Sequence, residues 1–329
     1  MESSLPPVLG ACGRVAWASD KPVVSLTTPI PPDCALRRGT GVDEFESAFP
    51  DDRACLAHIF AKRYGQGFSC PKCGNAAEWI SLKDSSVYAS RCCGRLLYPQ
   101  RGTIFQRSRK LLLKEWFRGL LFAANSTGTP GAKFYCRYFD LSAKAAVRMA
   151  NKIRLQMARQ EDDRVIGGAG DNIYLSEVSF LRVRRLARTG YKRRRVISLS
   201  DGCEVGFVVP ESSQASHIMR ALAPRVKPDA VFHCADEALF KRLVRCGKGL
   251  HKVVRAEPDS RPAAMRSEIS VIIAKRVLRR LYGHVAAGQL GTYLNEQSFR
   301  ANAVRDRSLF WSAIKAFPAP PVFGSCMDG

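Results

Sequence analysis

Two pairs of cysteines carry the plainest chemistry in the chain. Cys70-Pro-Lys-Cys73-Gly74 has the make-up of a tight turn in which two thiolates face one ion while backbone N–H groups support the sulfurs. A four-thiolate site of the zinc-ribbon type repeats that turn about 15–20 residues later. What stands there is Ser90-Arg-Cys92-Cys93-Gly94, so Cys93 takes the place of the second ligand of the turn and Ser90 that of the first. Cys92 is then the thiol at hand for the fourth position. Adjacent cysteines suit a tetrahedral ion less well than a CxxC turn, which leaves two readings open. Either zinc is held by Cys70, Cys73, Cys92 and Cys93, or the segment is a metal-poor relic with unpaired thiols. The chain has 12 cysteines and no basic-then-apolar leader, which fits metal binding and small core residues in a reducing cytoplasm better than disulfides.

A second chemistry is the handling of polyanions. Lys and Arg number 52 against 29 Asp and Glu, a formal charge of +23, and such an excess favours nucleic acid. A membrane surface is the electrostatic rival, weakened because no apolar run approaches the ~20 residues of a spanning helix. The cations are patterned as well. After a Ser142 N-cap, Ala146, Ala150, Ile153 and Met157 form an apolar stripe, while Lys144, Arg148 and Lys152 recur every fourth residue on another part of the same helix. With helices expected over 111–124 and 132–139, this is the layout of a helix-turn-helix with a basic reading helix; a solvated face on an ordinary bundle is the alternative.

The elements that must position these groups follow from period and punctuation. Prolines without periodicity mark residues 1–43 as a flexible tail. Asp51-Asp52 open a short amphipathic helix ahead of the ribbon. Beyond Gly167-Gly168, strands are expected over 173–181, 195–200 and 204–209, with Asp201-Gly202 a hairpin dipeptide. A helix over 214–222, an apolar strand over 230–235, a helix ending near Arg245 and a long helix over 261–282 complete a mixed α/β sheet unit. The expected organisation is therefore multidomain α/β: tail 1–43, zinc ribbon 44–108, helix-turn-helix-like segment 109–162, mixed-sheet domain 165–305 and C-terminal tail 306–329.

Several strings together resemble bacterial insertion-sequence transposases that join an N-terminal zinc ribbon to a ribonuclease H-like catalytic domain. They are Phe45-Glu-Ser-Ala-Phe-Pro-Asp-Asp-Arg-Ala-Cys55, Cys70-Pro-Lys-Cys-Gly74, Arg101-Gly-Thr-Ile-Phe105, Ser142-Ala-Lys-Ala-Ala146, Asn151-Lys-Ile-Arg154 and Gly291-Thr-Tyr-Leu-Asn-Glu-Gln-Ser-Phe-Arg300. Each is weak alone, and their order and spacing over residues 44–317 are specific. The resemblance implies a structural zinc, a cytoplasmic and nucleoid-associated protein, double-stranded DNA at terminal inverted repeats as partner and an oligomer on DNA as a compatible assembly. It also implies an acidic triad of the DDE type, or a variant with Asn and Lys, holding Mg²⁺ or Mn²⁺ for strand transfer.

Carried over by position, the second acid is Asp236 and the third is Glu268, seven residues before Lys275 and so nearly on one helical face. Met265 stands where the Asn variant would need its amide. The first acid falls on Ser176, followed by Glu177 where the family shows an Asp-Glu pair. Strand alternation turns Glu177 to the opposite face. Asp171 is an odd number of residues away, and Asp201 suits the hairpin. The cations Arg182, Arg184, Arg185, Arg188 and Lys192 to Arg195 fit either a solvated hairpin or a phosphate-contact surface. The functional expectation is an insertion-sequence transposase whose catalysis is impaired at Ser176. A non-catalytic DNA-binding protein, whether repressor or relic, is the alternative, and an RNA-associated ribbon protein is a third.

Overall fold

The computed structural model describes residues 40–318 except 66–67, 75–77, 83–85, 107–110, 169, 185–190, 235, 246–251, 256–260, 283–284 and 304–307; side chains at 181–193 and 256–267 are likewise not described. The expected tail up to residue 39 lies outside these. The expected tail at 1–43 ends earlier than its boundary, because Thr40 is buried against Ser308 and α1 (Val42–Ala48) follows at once.

The N-terminal half is helical around the ribbon. Helix α2 (Asp52–Tyr64) starts at an Asp51 cap, whose carboxylate accepts the Ala54 N–H at 2.8 Å. The ribbon strands β1 (Trp79–Ser81), β2 (Tyr88–Ser90) and β3 (Leu96–Leu97) pair antiparallel in that order. A short sheet cannot stand alone in water. Aromatic packing fastens this one to α2: Phe60 stacks on Tyr88 at 4.2 Å, and Tyr64 meets Phe68 at 4.8 Å. Helices α3 (Leu113–Asn125), α4 (Ala132–Phe139) and α5 (Ala143–Arg159) come next. Asp52 caps α3 across the fold, accepting from Leu113 and Lys114 N–H at 3.0 and 2.8 Å. Asp140, left-handed at φ 46°, closes α4, and Ser142 caps α5. All four residues of the expected stripe on α5 are buried. Gly119 is needed where α3 crosses α5, since a Cβ there would come within 2.4 Å of the Met149 side chain.

The sheet unit follows. Its strands are β4 (Asn172–Arg184), β5 (Tyr191–Ser200), β6 (Val205–Val208), β7 (Val231–Cys234) and β8 (Lys252–Arg255), in the spatial order β6-β5-β4-β7-β8. The first three form an antiparallel meander, and β7 and β8 run parallel to β4. A two-residue β9 (Val285–Ala286) joins the far end of β4. Helices α6 (Ala215–Leu222) and α7 (Glu237–Arg245) cover one face, packing on Ile173, Leu175, Ile197, Leu199 and Phe232. Helix α8 (Arg261–Tyr282) covers the other, setting Val271, Ala274 and Leu278 against Phe180, Val196 and Phe207. Among the described residues no helix is long and apolar enough to cross a membrane.

Helix α9 (Leu290–Asn302) bridges the two halves. Leu290 and Leu294 belong to the core under α8, whereas Phe299 and Ala303 belong to the helical core. Of the residues expected as a C-terminal tail over 306–329, those described, 308–318, are not one: α10 (Leu309–Ala313) buries Phe310 and Ala313 in the N-terminal core, as apolar positions with a partner surface must. Gln156 donates to Ala313 and Ala316 carbonyls, and Arg63 to that of Pro318.

At the centre of the bridge lies Glu296, fully buried. It accepts from Arg154 Nε at 3.2 Å, from Arg300 at 2.8 and 2.9 Å, and from both the N–H and hydroxyl of Thr129 at 2.8 Å. Burial alone would raise its pKa, but Arg300, Arg154 and the Thr129 bonds outweigh that and hold it below the usual glutamate value. Replacing it, as in Glu296→Gln, leaves two buried guanidiniums short of a counter-charge, and loss of one partner from such a pair costs about 3–5 kcal/mol. The urea midpoint should fall accordingly. Because the folded pKa is depressed, the stabilisation is complete above the ordinary glutamate range and is lost as pH falls through the folded value; the variant should show a flatter acid limb. Equal midpoints and parallel acid limbs would show that the network is dispensable.

Candidate functional site

The four cysteine sulfurs come together. Sγ atoms of Cys70, Cys73, Cys92 and Cys93 all lie within 4.8 Å of one another, the only such group of three or more metal-ligating side chains among the described residues. Two knuckles present them. Gly74 N–H returns to the Cys70 carbonyl at 2.8 Å, and Gly94 N–H returns to the Ser90 carbonyl at 2.9 Å, with both glycines left-handed. Ser90 is therefore the counterpart of Cys70, as its spacing predicts. Its hydroxyl is not a ligand; it lies 2.9 Å from Cys92 Sγ, and Cys92 in turn lies 3.0 Å from Cys73. Cys70 and Cys93 are 3.4 Å apart. Zinc–sulfur bonds of about 2.3 Å place tetrahedral sulfurs roughly 3.8 Å apart, so the set fits one Zn²⁺ with small adjustments. The electrostatics agree. Against the upward push of burial, the backbone N–H groups of Cys73 and Lys72 and the neighbouring thiols bring the Cys70 thiol down to about 6. Hydrogen bonds from Cys73 and Ser90 lower that of Cys92.

The three cations of α5 divide. Lys144 and Arg148 are exposed, with no ion pair among the described residues. Lys152 turns back into the fold, donating to the Gln106 carbonyl at 2.9 Å with its ammonium 5.3 Å from the Trp116 ring centre; burial, then Arg148, lowers its pKa. Spacing alone grouped it with the other two. Of the basic hairpin, Arg182 to Arg193 lie outside the described side chains, while Arg195 is tied to Glu177.

Ser176 pairs with Ser198 in register and shares its strand face with Val178 and Phe180, the face that α8 covers. Glu177 points the other way, as alternation requires. There it accepts from Arg195 at 2.9 Å and from both terminal nitrogens of Arg242 on α7, and is almost fully buried. Asp236 lies two residues past Cys234, the last residue of β7 and the register partner of Leu175. Its carboxylate caps α7, accepting from Ala238 and Leu239 N–H at 2.8 and 3.4 Å. Glu268 is exposed on α8. Lys275 lies with its ammonium 5.7 Å from the Phe180 ring centre, where desolvation lowers its pKa. Asp171 accepts from Gly168 N–H and Asp201 from Cys203 and Glu204 N–H, both turn-closing roles. Among the described residues neither Asp236 nor Glu268 belongs to a group of three or more metal-ligating side chains. What the sequence did not single out is the polar row beside Ser176: Tyr174 stacks on His233 at 5.0 Å, and His233 Nε2 meets Asn172 Oδ1 at 2.9 Å. The alternation of 172, 174 and 176 on β4 was the available signal.

Residues 50–95 match the family model of the transposase zinc-ribbon domain. The matched segment spans both knuckles and the strands β1 and β2. No curated protein matches the chain.

The purified full-length protein should carry one equivalent of zinc by metal analysis, and Cys92→Ser should bring it below half an equivalent. Adding Ser90→Cys to that variant should restore binding, because position 90 is the first ligand position of the knuckle. Full zinc retention by Cys92→Ser alone would remove Cys92 from the ligand set.

Proposed function

We propose that this chain is an insertion-sequence transposase by descent that binds the ends of its element, with strand transfer impaired by Ser176 at the first acid position. The observation that carries the reading is the match of residues 50–95 to a transposase zinc-ribbon domain on a segment whose four thiolates converge. The sheet supports it further: an antiparallel meander β4–β6 followed by β7 and β8 parallel to β4 is the strand arrangement expected of a ribonuclease H-like domain. The DNA reader in this proposal is α5, presented after the Asp140-Leu-Ser142 turn, with Lys144 and Arg148 as its phosphate contacts and double-stranded DNA as its partner. The affinity for duplex DNA should fall steeply with salt, since neutralised phosphates release counterions. Lys144→Ala with Arg148→Ala should flatten that slope by about 2, one for each contact. Lys152→Ala should act mainly on stability. An unchanged slope in the double variant would take α5 out of the interface.

The carboxylates present do not fit two divalent metal ions. Mg²⁺ or Mn²⁺ is held by one or two carboxylates together with waters and substrate phosphates, and a pair of such ions is best neutralised by a carboxylate shared between them. Ser176 offers a neutral hydroxyl on the face where that bridge belongs, Glu177 is turned away and neutralised by two arginines, and Asp236 is engaged as a helix cap. In this proposal Asp236, Glu268 and Lys275 are the remains of the catalytic set. The alternative, a non-catalytic DNA-binding protein, shares every other feature. Both are separated by a joining assay with a DNA end carrying the element's terminal repeat and Mg²⁺ or Mn²⁺. The unmodified protein should be nearly silent, Ser176→Asp should gain activity that Asp236→Ala removes, and Glu177→Ala should have little effect. Robust joining by the unmodified chain that Glu177→Ala abolishes would overturn the assignment of the first acid, and silence from Ser176→Asp would favour the non-catalytic protein.

A further inference from the structure

Against the zinc site, with the ligand Cys93 in its wall, lies a cleft of about 440 Å³ lined also by Lys72, Arg95, Leu96, Tyr98 and Arg101. Its composition is unusual for a structural groove. Tyr98 is 48% exposed and Leu96 42%, so an aromatic ring and an apolar side chain stand open to solvent within two residues of each other on the ribbon's last strand and its exit. Neither is needed by the aromatic cluster that fastens the ribbon to α2, which uses Phe60, Tyr64, Phe68, Trp79 and Tyr88. Three cations line the same wall and, among the described lining residues, no acid does. A zinc ion with four thiolates carries two negative charges. Lys72 and Arg95, on the knuckles, offset these, and Arg101 leaves the cleft cationic. The position is also fixed: Arg63 holds the carbonyls of Pro99 and Arg101 at 2.6 and 2.7 Å, and Arg101 N–H returns to the Tyr98 carbonyl, so Tyr98 and Arg101 are set on one tight turn.

We propose that this cleft binds an unstacked nucleotide of single-stranded DNA, its base on Tyr98 and Leu96 and its phosphate on Arg101. A duplex is far too wide to enter a space of this size, and its bases already stack on each other; only an unpaired base has a free π-face to offer. An aromatic platform flanked by cations without base-edge donors and acceptors arranged for readout is the chemistry of sequence-tolerant single-strand binding. The inference rests on the reading of the chain as a DNA-binding protein and adds that the ribbon takes the unpaired end of DNA while α5 takes the duplex.

The test uses the full-length zinc-loaded protein and three probes: a blunt duplex, the same duplex with a 3′ overhang of unpaired thymines, and the overhang strand remade as RNA. Fluorescence anisotropy should show the overhang tightening binding about tenfold over the blunt duplex, the scale of one stacked base. Tyr98→Ala should abolish that gain while leaving the blunt-duplex affinity and the zinc content as they were, Tyr98→Trp should keep it, and Arg101→Ala should reduce it. Equal binding of blunt and overhang probes by the unmodified protein would overturn the proposal, as would a gain that survives Tyr98→Ala or tighter binding of the RNA strand. Blunt-duplex binding that persists in those cases would leave the duplex-binding reading standing, whereas failure to bind any probe would overturn both.

Discussion

The carboxylate of Glu296 is the constraint on which the arrangement of the molecule depends. A fully buried charge is tolerable only where several donors replace water, and five hydrogen bonds from Arg154, Arg300 and Thr129 do so here. These donors come from α5, α9 and the loop after α3, so satisfying one charge fixes three segments at once. Arg300 extends the network to the carbonyls of Ala123 and Ser126 at the end of α3, where a helix leaves its last carbonyls without internal partners. Six residues beyond Glu296 on α9, Asn302 reaches the sheet, exchanging hydrogen bonds with the Val205 backbone and donating to Glu161. There burial prevails over Arg164 and Asn302, and the Glu161 pKa is raised. Two buried glutamates along one seam thus have opposite fates, because the first faces two guanidiniums at close range and the second faces weaker help.

That seam gives several of the sequence strings a physical meaning, because many of their residues hold the structure together. In Phe45 to Cys55, Phe45 and Phe49 fill the helical core and Asp51 and Asp52 cap α2 and α3 in turn. In Arg101 to Phe105, the backbone anchors Arg63 and Phe105 stacks on Phe117 at 5.3 Å. The long string on α9 carries Glu296 and Arg300. Such positions tolerate little change, since each is a buried polar group or a cap whose partner is far away in sequence. The Ser176 side chain has no such far-reaching bond among the described residues: it is half-buried on β4 in register with Ser198.

The electrostatics of the sheet point the same way. With a formal charge of +23 the protein attracts phosphates, but a nuclease-type centre needs concentrated negative charge at the strand ends. Around β4 and α7 the acid is instead absorbed into ion pairs, Glu177 with Arg195 and Arg242, and Glu237 with Lys241 and Arg255. In the proposed reading, nucleic-acid contact is made instead by the exposed cations of α5 and by the ribbon, both of which rest on the same helical core.

Much of the architecture was legible in the sequence because its causes are local. The Cys70–Cys73 turn, the Asp51 and Ser142 caps, the stripe Ala146, Ala150, Ile153 and Met157, the Asp201-Gly202 hairpin and the opposed faces of Ser176 and Glu177 all follow from backbone geometry over a few residues. The choice of Cys92 over a relic did not follow, since it depends on how two knuckles meet across β1 and β2. The inward turn of Lys152, the burial of α10 and the meeting of Glu296 with Arg154 were decided only by the tertiary structure. Each pairs residues remote along the chain or resolves two roles that one residue type fills equally well, and no local period distinguishes a solvated cation from one that has found a carbonyl and a ring.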